Sequence, residues 1–247
     1  ESSGRSALLR IPLSKIELGD ELGKGSFGVV WKGKWRSKNV AVKQVKADAV
    51  GGAKALADFE AEIAVMASMQ PYQHVVQLYG VTTLANGDLA AIVEYCAGGS
   101  LVDALYGKKA RDWTADELLK VAHDAACGVE HLHDLNVIHR DIAARNVLLA
   151  GKRDIIAKVG DFGMSRAMND DKFEQETANV VGPLKWMAPE WMQRRVYSKA
   201  TDMFAFGVLL YEIFAREAPW KGVVTMMAAK KVMDGERMEP PRSAPTE

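Results

Sequence analysis

Residues 137–149 read Val-Ile-His-Arg-Asp-Ile-Ala-Ala-Arg-Asn-Val-Leu-Leu. This segment constrains the chain more than any other. Two apolar runs of strand character enclose His139, Arg140, Asp141, Arg145 and Asn146 in one short loop. Buried strands rarely enclose five polar or charged groups unless the loop between them does chemistry, because each such group needs a partner once it leaves water. The fold therefore has to bring a loop of acid, base and amide groups to the edge of an apolar core.

The rest of the chain divides around this loop. Residues 1–15 read as a polar linker. Residues 16–95 read as short strands with one helix: Val29-Val30-Trp31-Lys32-Gly33 and Val40-Ala41-Val42-Lys43 are strand-like, as are residues 75–81 and 89–95. Residues 53–69 carry Leu56, Phe59, Ile63 and Met66 at helical spacing. Cys96-Ala97-Gly98-Gly99-Ser100 then breaks the pattern and suits a crossing between two lobes. Residues 96–247 are mainly helical. Over residues 114–134 Thr114 and Glu117 form a capping box, and Leu118, Val121, Ala125, Val129 and Leu132 share one face. Residues 201–214 form an almost wholly apolar helix, expected to be buried. The expected class is α+β and bilobal, a small antiparallel β-sheet lobe with one helix followed by a mainly helical lobe.

Four further segments carry candidate chemistry. Gly23-Lys24-Gly25-Ser26-Phe27-Gly28 precedes a β-run and not a helix, so a strand–loop–strand flap fits better than a dinucleotide-binding turn. Glycines there let backbone N–H groups approach phosphates closely. Lys43, fifteen residues after Gly28, is placed to reach into the cleft behind the flap, toward the α- and β-phosphates of ATP. It needs an anionic partner: Glu62, on the inward face with Ile63 and Met66, or Glu60; either glutamate could instead sit on a solvated face. Asp161-Phe162-Gly163 follows the strand-like Ala157-Lys158-Val159-Gly160 and offers a carboxylate for Mg²⁺, with Asn146 as a second oxygen donor. Asp141 would orient a substrate hydroxyl and accept its proton. Met187-Ala188-Pro189-Glu190 closes the loop begun at Asp161.

In this order of flap, lysine, helix glutamate, polar loop, D-F-G and A-P-E, residues 16–235 resemble the eukaryotic protein kinase family. The resemblance implies an ATP- and Mg²⁺-dependent transfer of phosphate to a protein hydroxyl. It implies that Gly23, Gly25 and Gly28 cover the phosphates, that Lys43 pairs with Glu62, and that Val30, Ala41 and Leu148 sandwich adenine with Leu22 at its edge. It further implies hinge contacts from Glu94 and Cys96, a gatekeeper at Val93, and a spine of Met66, Leu78, His139 and Phe162 anchored by Asp202. Ser/Thr kinases usually carry a lysine where Ala143 stands. Arg145, in Ala-Ala-Arg-Asn, resembles the cytoplasmic tyrosine kinases and would replace that lysine at the γ-phosphate. Pro183-Leu184-Lys185-Trp186-Met187 resembles their platform for the substrate tyrosine. A Ser/Thr or dual-specificity kinase of the tyrosine-kinase-like group is the alternative, and a pseudokinase scaffold is a third reading.

Three departures stand out. Residues 163–189 contain no tyrosine, so either control lies elsewhere or the enzyme is always on, or Arg140 pairs with phosphorylated Thr177, with Glu174 and Glu176 as stand-ins for the phosphate. Phe204 and Ala205 occupy positions where the family usually has Trp and Ser. The chain ends where family members continue with helices, one of which carries an arginine that pairs with the glutamate at position 190, so an incomplete C-lobe is expected. The formal net charge of zero argues against nucleic acid as the main partner. Cys96 and Cys127 fit neither a disulfide framework nor a zinc site. No apolar run reaches the roughly 18–20 residues of a membrane span. A cytoplasmic domain, or the cytoplasmic portion of a larger protein with regulatory domains outside this segment, is the expected setting.

Overall fold

The computed structural model describes residues 9–25, 28–45, 52–151, 154–161, 166–167 and 184–245. Five antiparallel strands form the first sheet: β1 (Ile16–Gly25), β2 (Gly28–Trp35), β3 (Lys38–Val45), β4 (Leu78–Thr83) and β5 (Leu89–Glu94), in the order β1-β2-β3-β5-β4. Between β2 and β3, Arg36 and Ser37 both take positive φ, 46° and 64°. Two consecutive left-handed residues give the loop a twist that matches the strands it joins. Alternation along β3 then separates two faces. Val40 and Val42 turn into an apolar cluster with Ile92 and Ala90, against which Trp31, Trp35 and Tyr79 pack.

The opposite face receives α1 (Gly52–Ser68). Phe59 and Ile63 of this helix are buried against Val81 and Ala91, and Ala91 stands opposite Lys43 in the sheet. The helical register expected for residues 53–69 is therefore the one that docks, and it carries Glu62 toward Lys43.

The second lobe contains β6 (Gly99–Ser100), α2 (Leu101–Leu105), α3 (Ala115–Asp134), β7 (Val137–Ile138), β8 (Val147–Ala150), β9 (Ile156–Val159), β10 (Arg166–Ala167), α4 (Pro189–Arg194), α5 (Lys199–Ala215) and α6 (Thr225–Met233). The capping box at Thr114 and Glu117 is formed. Leu118, Val121, Ala125, Val129 and Leu132 all lie in the main core, which they share with Leu209 and Ile213 of α5. β7 and β8 flank the polar loop, β7 pairing with β10 and β8 lying between β6 and β9. The expected bilobal architecture is thus the observed one.

Two expectations need correction. Residues 75–81 are not one strand. β4 begins only at Leu78, and the preceding segment pairs with the helical lobe, Val76 N–H donating to Val159 O at 2.9 Å and Val159 N–H to His74 O at 2.8 Å. The chain entering β4 is thereby stitched to β9, which ties the lobes together, and only at Gln77, whose O accepts the Glu94 N–H at 2.9 Å, does it join the first sheet. The helix over residues 201–214 is also not buried all round. Leu209 and Ile213 are fully enclosed, but Met203 is 51% exposed. Met203, Phe204, Gly207 and Leu210 line a groove of about 790 Å³ against α3. Among the described residues no helix is long and apolar enough to cross a membrane.

Candidate active site

The glycine-rich segment forms the predicted strand–loop–strand. Gly23 pairs with Val30, and Gly25 with Gly28 at the tip, where Gly28 takes φ 153°. On its other edge, Val30 stands opposite Lys43 of β3. The Lys43 ammonium lies 2.8 Å from Glu62 Oε1, 3.1 Å from Glu62 Oε2 and 2.8 Å from Asp161 Oδ1. Glu62, and not the exposed Glu60, meets the lysine. Burial alone would lower the pKa of Lys43. The carboxylates of Glu62 and Asp161 outweigh that desolvation and raise its pKa above the ordinary lysine value, so it is cationic at neutral pH. One nitrogen thus joins α1, β3 and the end of the β9 segment.

The polar loop is held from below. Asp202, 1% exposed at the start of α5, accepts the His139 N–H at 2.7 Å on Oδ2 and the Arg140 N–H at 2.8 Å on Oδ1, and His133 Nε2 lies 2.9 Å from Oδ2. Arg140 takes φ 69° and Asp161 φ 59°. Left-handed conformations in non-glycine residues cost on the order of 1–3 kcal/mol each and persist only where the surroundings impose them. The two backbone N–H groups that donate to Asp202 supply that imposition at Arg140. His139 Nδ1 accepts the Asp141 N–H at 3.3 Å, which leaves Nε2–H to donate to Gly160 O at 3.1 Å. The polar loop and the segment before Asp161 are therefore tied through one imidazole.

Around Asp141 the donors converge. Asn146 Nδ2 donates to Asp141 O at 2.6 Å and Oδ2 at 2.7 Å, and Arg145 Nη2 contacts Oδ1. With both amide hydrogens spent on Asp141, the Asn146 amide oxygen is turned the other way. The Arg145 guanidinium stacks over the Trp186 ring at 4.7 Å, and Arg140 over Tyr197 at 4.8 Å.

Of the remaining expected residues, Val30 and Ala41 lie on neighbouring strands of the upper sheet, Leu22 on β1 is 46% exposed, and Leu148 sits on β8 of the lower lobe. Glu94 ends β5, and its carboxylate pairs with buried Lys158 of β9 at 3.0 Å. This ion pair crosses between the lobes at the expected hinge. Burial and, secondarily, the Glu94 carboxylate push the Cys96 thiol up to about 12. Met66 is in the main core and Leu78 packs against it. Phe162, Glu174, Glu176 and Thr177 lie outside the described residues.

One residue at the centre of the arrangement was not singled out from sequence. Glu212 of α5 is 1% exposed and receives Tyr106 OH on Oε1 at 2.5 Å, and the Ala144 N–H (2.9 Å) and Trp186 Nε1–H (2.8 Å) on Oε2. Its signal was present: a glutamate inside an otherwise apolar helix has to be partnered.

Residues 16–247 match the family described as protein tyrosine and serine/threonine kinase, and the chain belongs to that family. Among curated proteins, it is 35% identical over 236 residues to the megakaryocyte-associated tyrosine-protein kinase of Rattus norvegicus, covering 95% of this chain and 48% of that protein. It is 34% identical over 236 residues to protein-tyrosine kinase 6 of Homo sapiens, covering 95% of this chain and 50% of that protein. A probable serine/threonine-protein kinase of Dictyostelium discoideum is 34% identical over 224 residues, covering 91% of this chain and 24% of that protein. The chain thus spans half or less of the length of these relatives.

Proposed function

We propose that this chain catalyses transfer of the γ-phosphate of Mg²⁺-bound ATP to a protein tyrosine hydroxyl. The observation that carries the reading is the junction at Lys43, whose ammonium sits 2.8 Å from both the helix carboxylate of Glu62 and that of Asp161. A cation fixed by two carboxylates beneath a glycine flap is aimed at phosphate oxygens without needing to move first.

The donor set suits Mg²⁺. Among the described residues no three His, Cys, Asp or Glu side chains gather as a metal cage. The half-exposed Asp161 carboxylate and the amide oxygen of buried Asn146 are hard oxygen donors, the set Mg²⁺ accepts when phosphate oxygens and water complete its octahedron. These two residues would hold the ion, which when bound neutralises charge on the phosphates during transfer. The other roles belong to the chain itself. Gly23, Gly25 and Gly28 cover the phosphates, and Val30, Ala41, Leu148 and Leu22 enclose adenine against the hinge at Glu94 and Cys96. Asp141, its oxygens fixed by Asn146 and Arg145, aligns the acceptor hydroxyl and takes its proton. Arg145 neutralises charge beside it. Positioning and electrostatics carry the rate.

The tyrosine acceptor is supported by Ala143 in place of a lysine and by the Arg145–Trp186 stack. The Dictyostelium relative, a probable serine/threonine-protein kinase at similar identity, favours Ser/Thr as the second reading. The test is incubation with Mg²⁺-ATP and a mixed peptide pool, reading which hydroxyl is labelled. Phosphotyrosine is expected; phosphoserine or phosphothreonine alone overturns the acceptor. Asp141→Asn is expected to abolish transfer while ATP still raises the melting temperature, and normal turnover in that variant overturns the mechanism.

A further inference from the structure

The face of the first sheet turned away from the cleft ends in a cluster that the nucleotide site does not use. Side chains alternate along β2, so Val30, opposite Lys43, faces the cleft, while Trp31 and Trp35 pack on the far side with Val40 and Val42. At the turn after β2 the Arg36 guanidinium lies over the Trp35 ring at 4.8 Å, and the Lys38 ammonium lies over the Tyr79 ring at 5.5 Å. The two rings are 5.8 Å apart. Ile16 pairs with Trp35, which brings exposed Lys15 to the same end of the sheet. Leu18, 47% exposed, stands opposite Gly33 on the face that carries Ile16 and Trp35. Residues 28–45 hold Lys32, Lys34, Arg36, Lys38 and Lys43 and neither Asp nor Glu, in a chain of zero formal net charge. Glu17 stands opposite Lys34 and offsets it, whereas Lys38 stands opposite Trp35.

A solvated basic turn would account for the charge alone. It would not account for the residues that make the turn. Arg36 and Ser37 both take positive φ, and asparagine and glycine adopt that conformation at lower cost. Nor would it account for two cations each laid on an aromatic ring, with an exposed leucine beside them. A cation backed by a ring keeps its outer side for an anion, and an arginine fork matches phosphate oxygens. The rings and the leucine are what the boundary between water and acyl chains accepts. The turn is also convex, with residues 36–39 exposed in succession. It offers a peptide no groove, but it can meet a plane of phosphates at several points. We propose that this turn is a docking surface for an anionic phospholipid bilayer, met peripherally by Lys15, Arg36 and Lys38 with Trp35 and Leu18 at the same face. Because the face is the one turned from Lys43, docking leaves the cleft open. The proposal is independent of the kinase reading above.

The test is co-sedimentation of the chain with vesicles of phosphatidylcholine, either alone or with about 30% phosphatidylserine. Each cation at an anionic surface contributes about fivefold, so three should give a preference on the order of a hundredfold for the anionic vesicles at about 0.1 M salt. That preference should collapse at about 0.5 M salt. The double variant Arg36→Gln/Lys38→Gln should lose about twenty-fivefold of it. Lys108→Gln/Lys109→Gln makes the same change of charge at an exposed site after α2 and should lose less than about twofold. Absent binding, equal binding to neutral vesicles, binding indifferent to salt, or equal losses in the two double variants each overturn the proposal. Tighter binding to soluble polyglutamate than to vesicles also overturns it, and assigns the turn to an acidic protein segment. If Arg36→Gln/Lys38→Gln melts more than about 5 °C below wild type, Lys15→Gln is read in its place. A loss of about fivefold is then expected, and an unchanged preference overturns the proposal.

Discussion

Replacing Lys43 by methionine keeps the length and much of the volume of the side chain and removes only its charge. In the native structure that charge faces Glu62, whose side chain is 7% exposed, and Asp161, whose side chain is 49% exposed; the lysine itself is 23% exposed. Breaking a buried ion pair by removing one partner costs about 3–5 kcal/mol, because the remaining charge loses its compensation. Asp161 is half in water and contributes little to that figure. The burden falls on Glu62, and the part-exposed lysine puts the expected loss near the lower end, about 3 kcal/mol. A chain of this size loses roughly 2–4 °C per kcal/mol, so Lys43→Met should lower the melting temperature by roughly 6–12 °C. Glu62→Gln in the Lys43→Met background should return part of that loss, since the amide has no charge to compensate. The assay is urea unfolding of wild type, both single variants and the double, closed as a double-mutant cycle. A coupling energy of about 1–3 kcal/mol is expected from direct contact. Strictly additive single losses, or a Lys43→Met cost below about 1 kcal/mol, would refute the claim that this junction is a structural strut as well as a phosphate clamp.

Other outcomes follow from the same physical terms. Burial raises the pKa of Glu212, so the folded chain binds more protons than the unfolded chain between the two pKa values. Stability contributed by the protonated form is fully present below the unfolded value and is lost as pH rises through the folded one. Glu212→Gln should therefore gain melting temperature relative to wild type more at about pH 7.5 than at about pH 4.5; a pH-independent difference counts against it. With its thiol pushed up to about 12 and 7% exposed, Cys96 should resist alkylation at neutral pH while half-buried Cys127 reacts, and native-state labelling of Cys96 seen by mass spectrometry would contradict this. A Cβ at Gly128 would stand 2.5 Å from the His74 carbonyl oxygen and 2.8 Å from Val159 Cγ2. Gly128→Ala should cost about 1–3 kcal/mol by prising α3 from the segment that joins the lobes, and an unchanged unfolding midpoint would show that the joint yields freely.

Much of the fold was legible in the sequence because its signals are local. The capping box at Thr114, the 3.6-residue period over α3 and the glycine flap each depend on neighbours a few residues apart. The clustering of the candidate site's polar residues was legible for a related reason. Asp141, Arg145 and Asn146 lie within one turn of loop, so their convergence is nearly written into their spacing. Less legible was anything that depends on a remote partner. Residues 75–76 read as the start of the strand that becomes β4, yet the Val76 N–H donates to β9, because ladder partners are assigned by the tertiary register and not by propensity. The apolar run of α5 implied burial, but burial of one face says nothing about what covers the other.

The sequence by itself determined the class of fold, the polar loop and the family, since periodicity, capping and motif spacing are properties of the chain alone. Only the tertiary structure decided that Glu62 and not Glu60 faces Lys43, that Lys158 reaches across to Glu94, and that Glu212 gathers Tyr106, Ala144 and Trp186. The physical reason is common to all three. A charged side chain becomes informative when it is desolvated beside a specific partner, and in this chain those partners are separated by 19, 64 and up to 106 positions.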